Sequence, residues 1–254
     1  MSPRPALPAV FLALPLAHRG LHDRAAGVIE NSRVAFEAAI RGGYGIELDL
    51  QLSADGEAMV FHDDDLDRLT EAEGPVGLRS ATELGEIRLG EGDETIPTLT
   101  EVLSLVAGRV PLLVEIKDQS RAMASVDGRL ERRAAALLSA YDGPAALMSF
   151  NPHSVTECRG AAPEIPRGRT TCAFAEGPWG RLPAARRAAL ARLDDLDALG
   201  CSFISHQHDD LRSDAVAKVK ASGRPVLAWT IRSREEEEAA RAVADNITFE
   251  GYAA

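Results

Sequence analysis

Eight short apolar segments alternate with helix-like segments along this chain, and this alternation restricts the fold more than any other feature. Each apolar segment is long enough for one strand, and the segments between them show helix caps and apolar residues at helical spacing. The predicted strands are residues 7–17, 46–51, 111–117, 145–150, 167–174, 201–205, 224–231 and 246–249. Strands that alternate with helices usually form a parallel sheet. The pattern therefore predicts an α/β fold, a (β/α)8 TIM barrel, with a doubly wound open sheet as the alternative.

The length of the chain fits one barrel. The 254 residues match the usual size of such a barrel, and no Ser/Pro-rich linker or change of composition divides them. Residues 63–97 depart from the pattern, because they are acidic, rich in Gly and free of aromatic residues. We interpret them as an insertion after the second strand, with one short helix near residues 80–85. The sequence thus predicts a single domain over residues 1–254.

The apolar run of residues 7–17 has the length of a signal-peptide core. It continues directly into His18-Arg19-Gly20 without a cleavage site and spacer, so we interpret it as the first buried strand and expect a cytoplasmic protein. No run approaches the roughly 20 apolar residues that cross a bilayer, so no membrane segment is expected. Cys158, Cys172 and Cys201 lack CxxC spacing, and we expect them to be free thiols.

The charge of the chain argues against a nucleic-acid partner. The sequence carries 28 Lys and Arg against 39 Asp and Glu, a net charge of −11. Nucleic acid is bound mainly by clustered Lys and Arg, so a small-molecule partner is favoured. If that molecule carries phosphate, a metal ion and one or two local cations must supply the attraction.

Two carboxylates on the second predicted strand indicate a metal site. Glu47 and Asp49 alternate with aliphatic residues, so their side chains project from the same face. Buried carboxylates need compensation, and a hard divalent cation is a natural source of it. A further short extended piece, Val60-Phe61-His62, would bring a histidine beside this pair.

Short polar motifs occur in a fixed order near the predicted strand ends. They are His18-Arg19-Gly20, Glu30-Asn31-Ser32, Glu47-Leu48-Asp49, His62-Asp63 with Leu66 and Arg68, Ile96-Pro97-Thr98-Leu99, Glu115-Ile116-Lys117, Ser149-Phe150 and Trp229-Thr230. In this order and spacing the set resembles the glycerophosphodiester phosphodiesterase family. The resemblance implies a barrel enzyme that hydrolyses a glycerophosphodiester to glycerol 3-phosphate and an alcohol with the help of a metal ion.

The resemblance also implies a role for each matching residue. Glu47, Asp49 and Glu115 would hold a divalent cation, His18 and His62 would be the acid/base pair, Arg19 and Lys117 would bind phosphate, Trp229 would border the substrate, and Glu30 would either approach the metal or anchor its loop. Three carboxylates without Cys or clustered His suit Mg²⁺ or Ca²⁺ better than Zn²⁺. Two imidazoles, with ordinary pKa values of about 6.5, can divide proton removal and donation near neutral pH.

The chain departs from the family pattern in three places. Arg232 stands where an Asn is common, the last strand reads Thr248-Phe249-Glu250-Gly251 where it usually continues into an Asp and a Pro, and Leu69 replaces a frequent threonine. We expect none of these positions to touch a predicted metal, acid/base or phosphate residue. We therefore expect them to affect substrate preference more than reaction type.

Other interpretations of the same residues remain open. The barrel could cleave lysophospholipids in the manner of a phospholipase D, bind metal and phosphate without catalysis, or act as a lyase with Lys117 as the base. Glu115 and Lys117 could also form a purely structural ion pair. The insertion offers no aromatic side chain to bind an acyl chain, which favours a small, water-soluble diester.

The remaining histidines are interpreted as structural or exposed. They are His22, His153, His206 and His208. The run His206–Asp210 resembles a metal-binding sequence, but we expect it to begin a solvated loop.

Overall fold

The computed structural model describes residues 4–254, and its strands close into a barrel. The strands are β1 Leu16–Ala17, β2 Gly45–Leu52, β3 Ala58–Val60, β4 Leu112–Ile116, β5 Ala145–Ser149, β6 Arg167–Thr171, β7 Phe203–Gln207, β8 Val226–Ile231 and β9 Asn246–Phe249. Strand β1 pairs in parallel with both β2 and β9, which closes the ring. Strand β3 lies outside the ring and pairs antiparallel with β2. Eight parallel strands thus form the barrel wall, and the predicted TIM barrel is confirmed.

Helices occupy the connections between the strands. They are α1 Val10–Ala13, α2 Arg33–Arg41, α3 Ala81–Glu86, α4 Leu99–Val106, α5 Arg129–Ser139, α6 Pro152–Ala161, α7 Glu176–Trp179, α8 Ala184–Arg192, α9 Leu196–Leu199, α10 Asp214–Ala221 and α11 Arg234–Arg241. Short 3₁₀ turns cover Arg24–Ala26, Val76–Leu78 and His208–Asp210. Ser32 and Thr98 cap α2 and α4 through their side chains, as their sequence positions predict. In the described part of the chain, no helix is long and apolar enough to cross a lipid bilayer.

The barrel interior is apolar at one end and polar at the other. Side chains two apart on a strand share a face, so Leu113 and Glu115 of β4 both point inward at different heights. The lower layer is an apolar cluster of Leu7, Phe11, Leu16, Leu113, Ala146, Met148, Phe203 and Leu227. A side chain at Gly168 would collide with this layer, because its Cβ would lie 2.5 Å from the Phe203 ring. The apolar end is therefore filled, and polar chemistry is confined to the carboxyl ends of the strands.

The predicted first strand is wrong for most of its length. Within residues 7–17, only Leu16–Ala17 is strand, and Val10–Ala13 forms α1. Prolines at positions 8 and 15 disfavour a continuous strand, because proline has no N–H for the ladder. Phe11 of α1 is fully buried in the lower layer, so the helix closes the end of the barrel.

Two further predictions need correction. The Ala- and Arg-rich composition of residues 183–199 predicts one continuous helix, but the helix is interrupted between α8 and α9, where Leu193 adopts a left-handed conformation with φ +56°. The run His206–Asp210 does not begin a solvated loop as predicted. His206 lies within β7 and is only 1% exposed. Its imidazole contacts the Thr171 hydroxyl and the Asp210 carboxylate, at 2.7 and 3.1 Å.

The insertion after the second strand contributes six of the nine residues of a small second core. That core comprises Ile29, Met59, Phe61, Leu66, Leu69, Val76, Leu84, Leu89 and Ile96. Helix α3 lies where the sequence predicts the short helix, and Ser80 and Glu83 form a capping box at its start. Leu69 is 5% exposed, so this departure from the family pattern fills the core of the insertion.

Candidate active site

A cavity of about 160 Å³ opens at the carboxyl ends of the barrel strands. Eight of the nine predicted site residues line it: His18, Arg19, Glu47, Asp49, His62, Glu115, Lys117 and Trp229. These residues come from strands and loops that are far apart in the sequence and meet only when the barrel closes. The ninth, Glu30, lies behind Arg19 and accepts a hydrogen bond of 2.5 Å from its guanidinium.

Three carboxylates converge on the floor of the cavity. Glu47 and Asp49 project from β2, and strand pairing places Asp49 opposite Glu115 of β4. All three are buried, and each offers an oxygen that lies within 4.8 Å of the others. Calcium–oxygen bonds of about 2.3–2.6 Å place opposite ligands about 4.6–5.2 Å apart, so the three oxygens can share one hard cation. The donor set therefore fits the divalent metal that the sequence predicts.

Lys117 and Arg19 supply positive charge beside the carboxylates. The Lys117 ammonium lies 2.7 Å from an oxygen of Asp49 and 2.7 Å from one of Glu115. The Arg19 backbone N–H donates to Glu47 at 3.0 Å, and its guanidinium lies 3.4 Å from Asp49. The structural ion pair considered for Glu115 and Lys117 is thus present, but it includes Asp49 and faces the cavity.

This crowding of charge shifts the pKa values of the carboxyl groups in opposite directions. Burial, with the charges of Asp49 and Glu115, raises the pKa of Glu47 well above its ordinary value. Burial also opposes ionisation of Asp49, but the charges of Lys117 and the neighbouring cations lower its pKa well below the ordinary value. The surroundings of the cluster therefore oppose ionisation of Glu47 and favour ionisation of Asp49.

His18 is anchored by the last strand of the barrel. Its backbone N–H donates to the carbonyl of Phe249 at 2.9 Å, and its Nδ1 lies 2.5 Å from a carboxylate oxygen of Glu250. The opposite ring nitrogen, Nε2, lies 4.0 Å from Glu47. Burial lowers the pKa of His18 to about 4, although its hydrogen bond to the Glu250 carboxylate acts in the opposite direction, so the neutral imidazole is favoured.

His62 has a matching arrangement on the other side of the site. Its Nδ1 lies 2.6 Å from Asp63, and Arg68 contacts the same carboxylate at 2.5 and 3.0 Å. Arg68 also donates two hydrogen bonds to Glu30. Burial opposes ionisation of Glu30, yet the bonds from Arg68 and the charge of Arg19 lower its pKa to about 2. Glu30 therefore joins the loop after β1 to the insertion and stays outside the carboxylate cluster.

The loop after β1 is held in an uncommon backbone conformation. Arg19 and Asn31 both have positive φ angles, +56° and +57°, which non-glycine residues seldom adopt. The Asn31 amide donates to Asp49 at 2.9 Å and so orients a carboxylate of the cluster. Ser32, its neighbour, caps α2 and fixes the start of that helix. Local strain at these positions thus accompanies the close packing of the site.

One wall of the cavity mouth is aromatic. Trp229 donates from Nε1 to the Ser205 carbonyl at 3.0 Å, and its ring lies 5.6 Å from that of Phe150. Phe150 in turn lies 5.2 Å from Trp179 of α7 and 6.2 Å from Phe174. The insertion lacks aromatic residues, so this wall comes from the other side of the barrel.

Sequence reasoning missed several polar residues of the site. Asn31 and Asp63 lie within the quoted motifs, so their motif positions were the available signal. Glu250 and Arg232 were noted only as departures expected to leave the acid/base residues untouched. That expectation is wrong for Glu250, because its carboxylate contacts the His18 imidazole and also pairs with Arg232 at 2.8 Å.

The sequence also matches a known protein family, and this match agrees with the geometry of the site. Residues 18–247 match the model of the "Glycerophosphoryl diester phosphodiesterase family". The chain belongs to this family. A glycerophosphoryl diester phosphodiesterase is a phosphoric diester hydrolase, so the predicted enzyme class is confirmed.

This chain is similar to glycerophosphodiester phosphodiesterases of two bacteria, among other relatives. It is 34% identical to a glycerophosphodiester phosphodiesterase of Caldanaerobacter subterraneus subsp. tengcongensis over 175 residues, 65% of this chain and 70% of the relative. A Bacillus altitudinis glycerophosphodiester phosphodiesterase is 40% identical over 111 residues, 40% of this chain and 43% of the relative.

A solved structure supports the fold over the full length. It is a phosphodiesterase from Oleispira antarctica in complex with its product sn-glycerol-3-phosphate, 25% identical, with a TM-score of 0.78 and 96% of each chain covered.

Proposed function

We propose that this glycerophosphoryl diester phosphodiesterase hydrolyses a small glycerophosphodiester to glycerol 3-phosphate and an alcohol, with a divalent cation and a pair of histidines. One observation carries the proposal. Two imidazoles, each with its Nδ1 against a carboxylate, line the same cavity as three convergent acidic side chains. Simple binding of metal and phosphate would not require two groups that can carry protons.

Glu47, Asp49 and Glu115 would hold the cation. Their donors are all oxygen, and their 4.8 Å spread suits Ca²⁺, or Mg²⁺ after a small contraction. When bound, such an ion neutralises charge that develops on a phosphoryl oxygen. In the ion-free protein Lys117 balances part of the cluster's negative charge, since its ammonium contacts two of the three carboxylates.

The two histidines would move the protons of the reaction. Phosphodiester cleavage needs one group to deprotonate the attacking oxygen and one to protonate the leaving oxygen. With Nδ1 of His18 against Glu250 and Nδ1 of His62 against Asp63, Nε2 of each ring is the atom left for the substrate. A neutral imidazole that donates from Nδ1 presents an unprotonated Nε2, which can accept a proton.

The remaining residues of the cavity would bind the two ends of the substrate. Arg19 offers a planar guanidinium that can donate two parallel hydrogen bonds to phosphate oxygens, and Lys117 adds a second cation. Trp229 and Phe150 line the mouth, where the glycerol or alcohol group of a diester can pack. The product named for the Oleispira antarctica structure, sn-glycerol-3-phosphate, has these same two parts.

A substrate panel tests this proposal. Purified protein is incubated with glycerophosphocholine, glycerophosphoethanolamine, glycerophosphoinositol and a lysophosphatidylcholine, and glycerol 3-phosphate and free alcohol are measured with and without chelator. We expect turnover of the water-soluble diesters, loss of turnover in chelator and recovery with Mg²⁺ or Ca²⁺. A clear preference for the lysolipid would replace the proposed substrate class.

Substitution of the histidines tests the mechanism. His62→Asn and His18→Asn should each lower kcat by about 10²- to 10⁴-fold, the usual contribution of a general acid or base. His153→Asn is the matched control, because His153 is exposed on α6 and does not line the cavity. Full activity of the His62 variant would contradict the two-histidine mechanism.

A further inference from the structure

The orientation of His18 depends on the end of β9. Two adjacent residues contact His18. The Phe249 carbonyl accepts from the His18 backbone N–H, and the Glu250 carboxylate contacts the His18 ring. Both the main chain and the side chain of His18 are therefore fixed by one short segment. The His18 side chain is 12% exposed, so little water is available to replace the carboxylate contact.

Glu250 is itself held in place. Its backbone N–H donates to the Ile231 carbonyl at 2.9 Å, which ties the end of β9 to the end of β8. The Arg232 guanidinium donates to the second carboxylate oxygen, Oε1, at 2.8 Å. His22 lies 3.5 Å from Oε2, the oxygen that contacts His18. Each oxygen of Glu250 thus has its own partners, and the carboxylate is only 19% exposed.

The two departures from the family pattern near this site are in direct contact with each other. Arg232 and Glu250 are 18 residues apart in sequence and form a charged hydrogen bond at the cavity rim. The next residue, Gly251, has φ +78°, which proline cannot adopt because its ring holds φ near −65°. A proline at 251 would therefore not permit the turn that follows Glu250 here. Arg232, Glu250 and Gly251 thus form one local arrangement next to His18.

We propose that Glu250, braced by Arg232, is the positioning residue of His18: it accepts the Nδ1–H and thereby holds Nε2 toward the cavity as the proton acceptor. This inference rests on the proposed function, in which His18 moves a proton. A carboxylate on the distal nitrogen fixes both the tautomer and the ring orientation of a histidine. Glu250 touches neither substrate nor metal in this role, so its effect passes through His18.

Kinetics of Glu250 variants test the proposal. Glu250→Ala should lower kcat by about 10- to 100-fold, the usual effect of removing a group that orients a catalytic histidine, with KM changed less than about twofold. Glu250→Gln should recover part of the loss, because its amide oxygen still accepts the Nδ1–H. Arg232→Ala should produce a smaller loss in kcat. Glu236→Gln is the control, since Glu236 accepts from the Arg232 backbone at 2.6 Å and has no contact with His18.

A spectroscopic measurement separates this inference from the proposed function. Proton NMR of the wild-type protein should show a downfield imidazole N–H signal that disappears in His18→Asn and in Glu250→Ala but persists in His62→Asn. This signal needs no substrate, so it reports the His18 contact even if every diester tested proves inert. If no diester is turned over, that result refutes only the proposed function and leaves this inference standing.

Three results would overturn the inference. One is a Glu250→Ala protein with wild-type kcat. A second is an increase in KM with unchanged kcat, which would show substrate binding by Glu250. The third is a His18 imidazole signal that survives Glu250→Ala. If Glu250→Ala fails to fold, as judged by circular dichroism, Glu250→Leu, which keeps the bulk of the side chain but has no acceptor, serves for all three comparisons.

Discussion

The carboxylate cluster opposes ionisation of Glu47, and the variant Glu47→Gln should show the effect on stability. Burial and two neighbouring carboxylates raise the pKa of Glu47, so ionisation of Glu47 lowers the stability of the folded protein when no metal is bound. A glutamine resembles the protonated side chain and can still accept the 3.0 Å hydrogen bond from the Arg19 backbone. In chelator at pH 8 the variant should therefore unfold at a higher temperature than the wild type.

With metal present, the order should reverse. A ligand at about 100 times its Kd adds about 2.7 kcal/mol to the stability of the folded state. An unfolding entropy of about 2.1 cal/mol/K per residue, applied to 254 residues, makes 1 kcal/mol equal to about 2 °C in Tm. Wild-type protein should gain about 5 °C. The variant, with one charged ligand missing, should gain much less.

The pH dependence follows from the raised pKa. A carboxyl group whose folded-state pKa lies above its unfolded value contributes stability below the unfolded pKa and loses it as pH rises through the folded pKa. The Tm difference between variant and wild type in chelator should therefore be largest at pH 8. It should vanish below the ordinary glutamate value of 4.5.

Thermal unfolding by circular dichroism or scanning fluorimetry, in chelator and in a Mg²⁺ or Ca²⁺ series, provides the measurement. Glu131→Gln is the matched control, because Glu131 is also buried with a raised pKa but lies on the outer helix α5. It should raise Tm in chelator and keep the full response to metal. Equal metal responses of wild type and Glu47→Gln would refute the assignment of Glu47 as a ligand.

Three simpler predictions concern the scaffold. Burial raises the pKa of the Cys158 thiol, and it raises the pKa of the Cys201 thiol to about 12. Iodoacetamide at pH 8 should therefore alkylate neither thiol until the protein is unfolded, and mass spectrometry can measure this. Gly20→Ala should lower Tm by about 4–8 °C, because the φ angle of Gly20 is +80° and the new Cβ would lie 2.9 Å from Ala35 atoms. An unchanged Tm would contradict this close contact. Phe11→Ala should remove about 3–5 kcal/mol by leaving a cavity in the lower layer of the barrel, and a loss below about 1 kcal/mol in urea unfolding would show that α1 does not close it.

Much of the site was readable from short-range patterns. The alternation in β2 alone places Glu47 and Asp49 on one face, because neighbouring side chains of a strand point in opposite directions. The order of strand and helix segments predicts the barrel, and the barrel predicts that residues at strand ends share one mouth. These inferences need only local geometry and chain order.

The sequence pattern was least informative where packing outweighs local preference. The run of residues 7–17 is apolar enough for a strand, yet part of it is helical because Phe11 fills the open end of the barrel. The aromatic wall around Trp229 likewise assembles from residues that follow β5 and β6 and from β8 and α7. No local signal shows which of these rings will meet.

What the sequence by itself determined is therefore the fold class, the family and the identity of the acidic and imidazole groups. The tertiary structure alone decided how those groups are held. His18 and Glu250 are 232 residues apart, and they meet because closure of the barrel places β9 beside β1. Such a contact is specified by the register of distant strands, which no short stretch of chain contains.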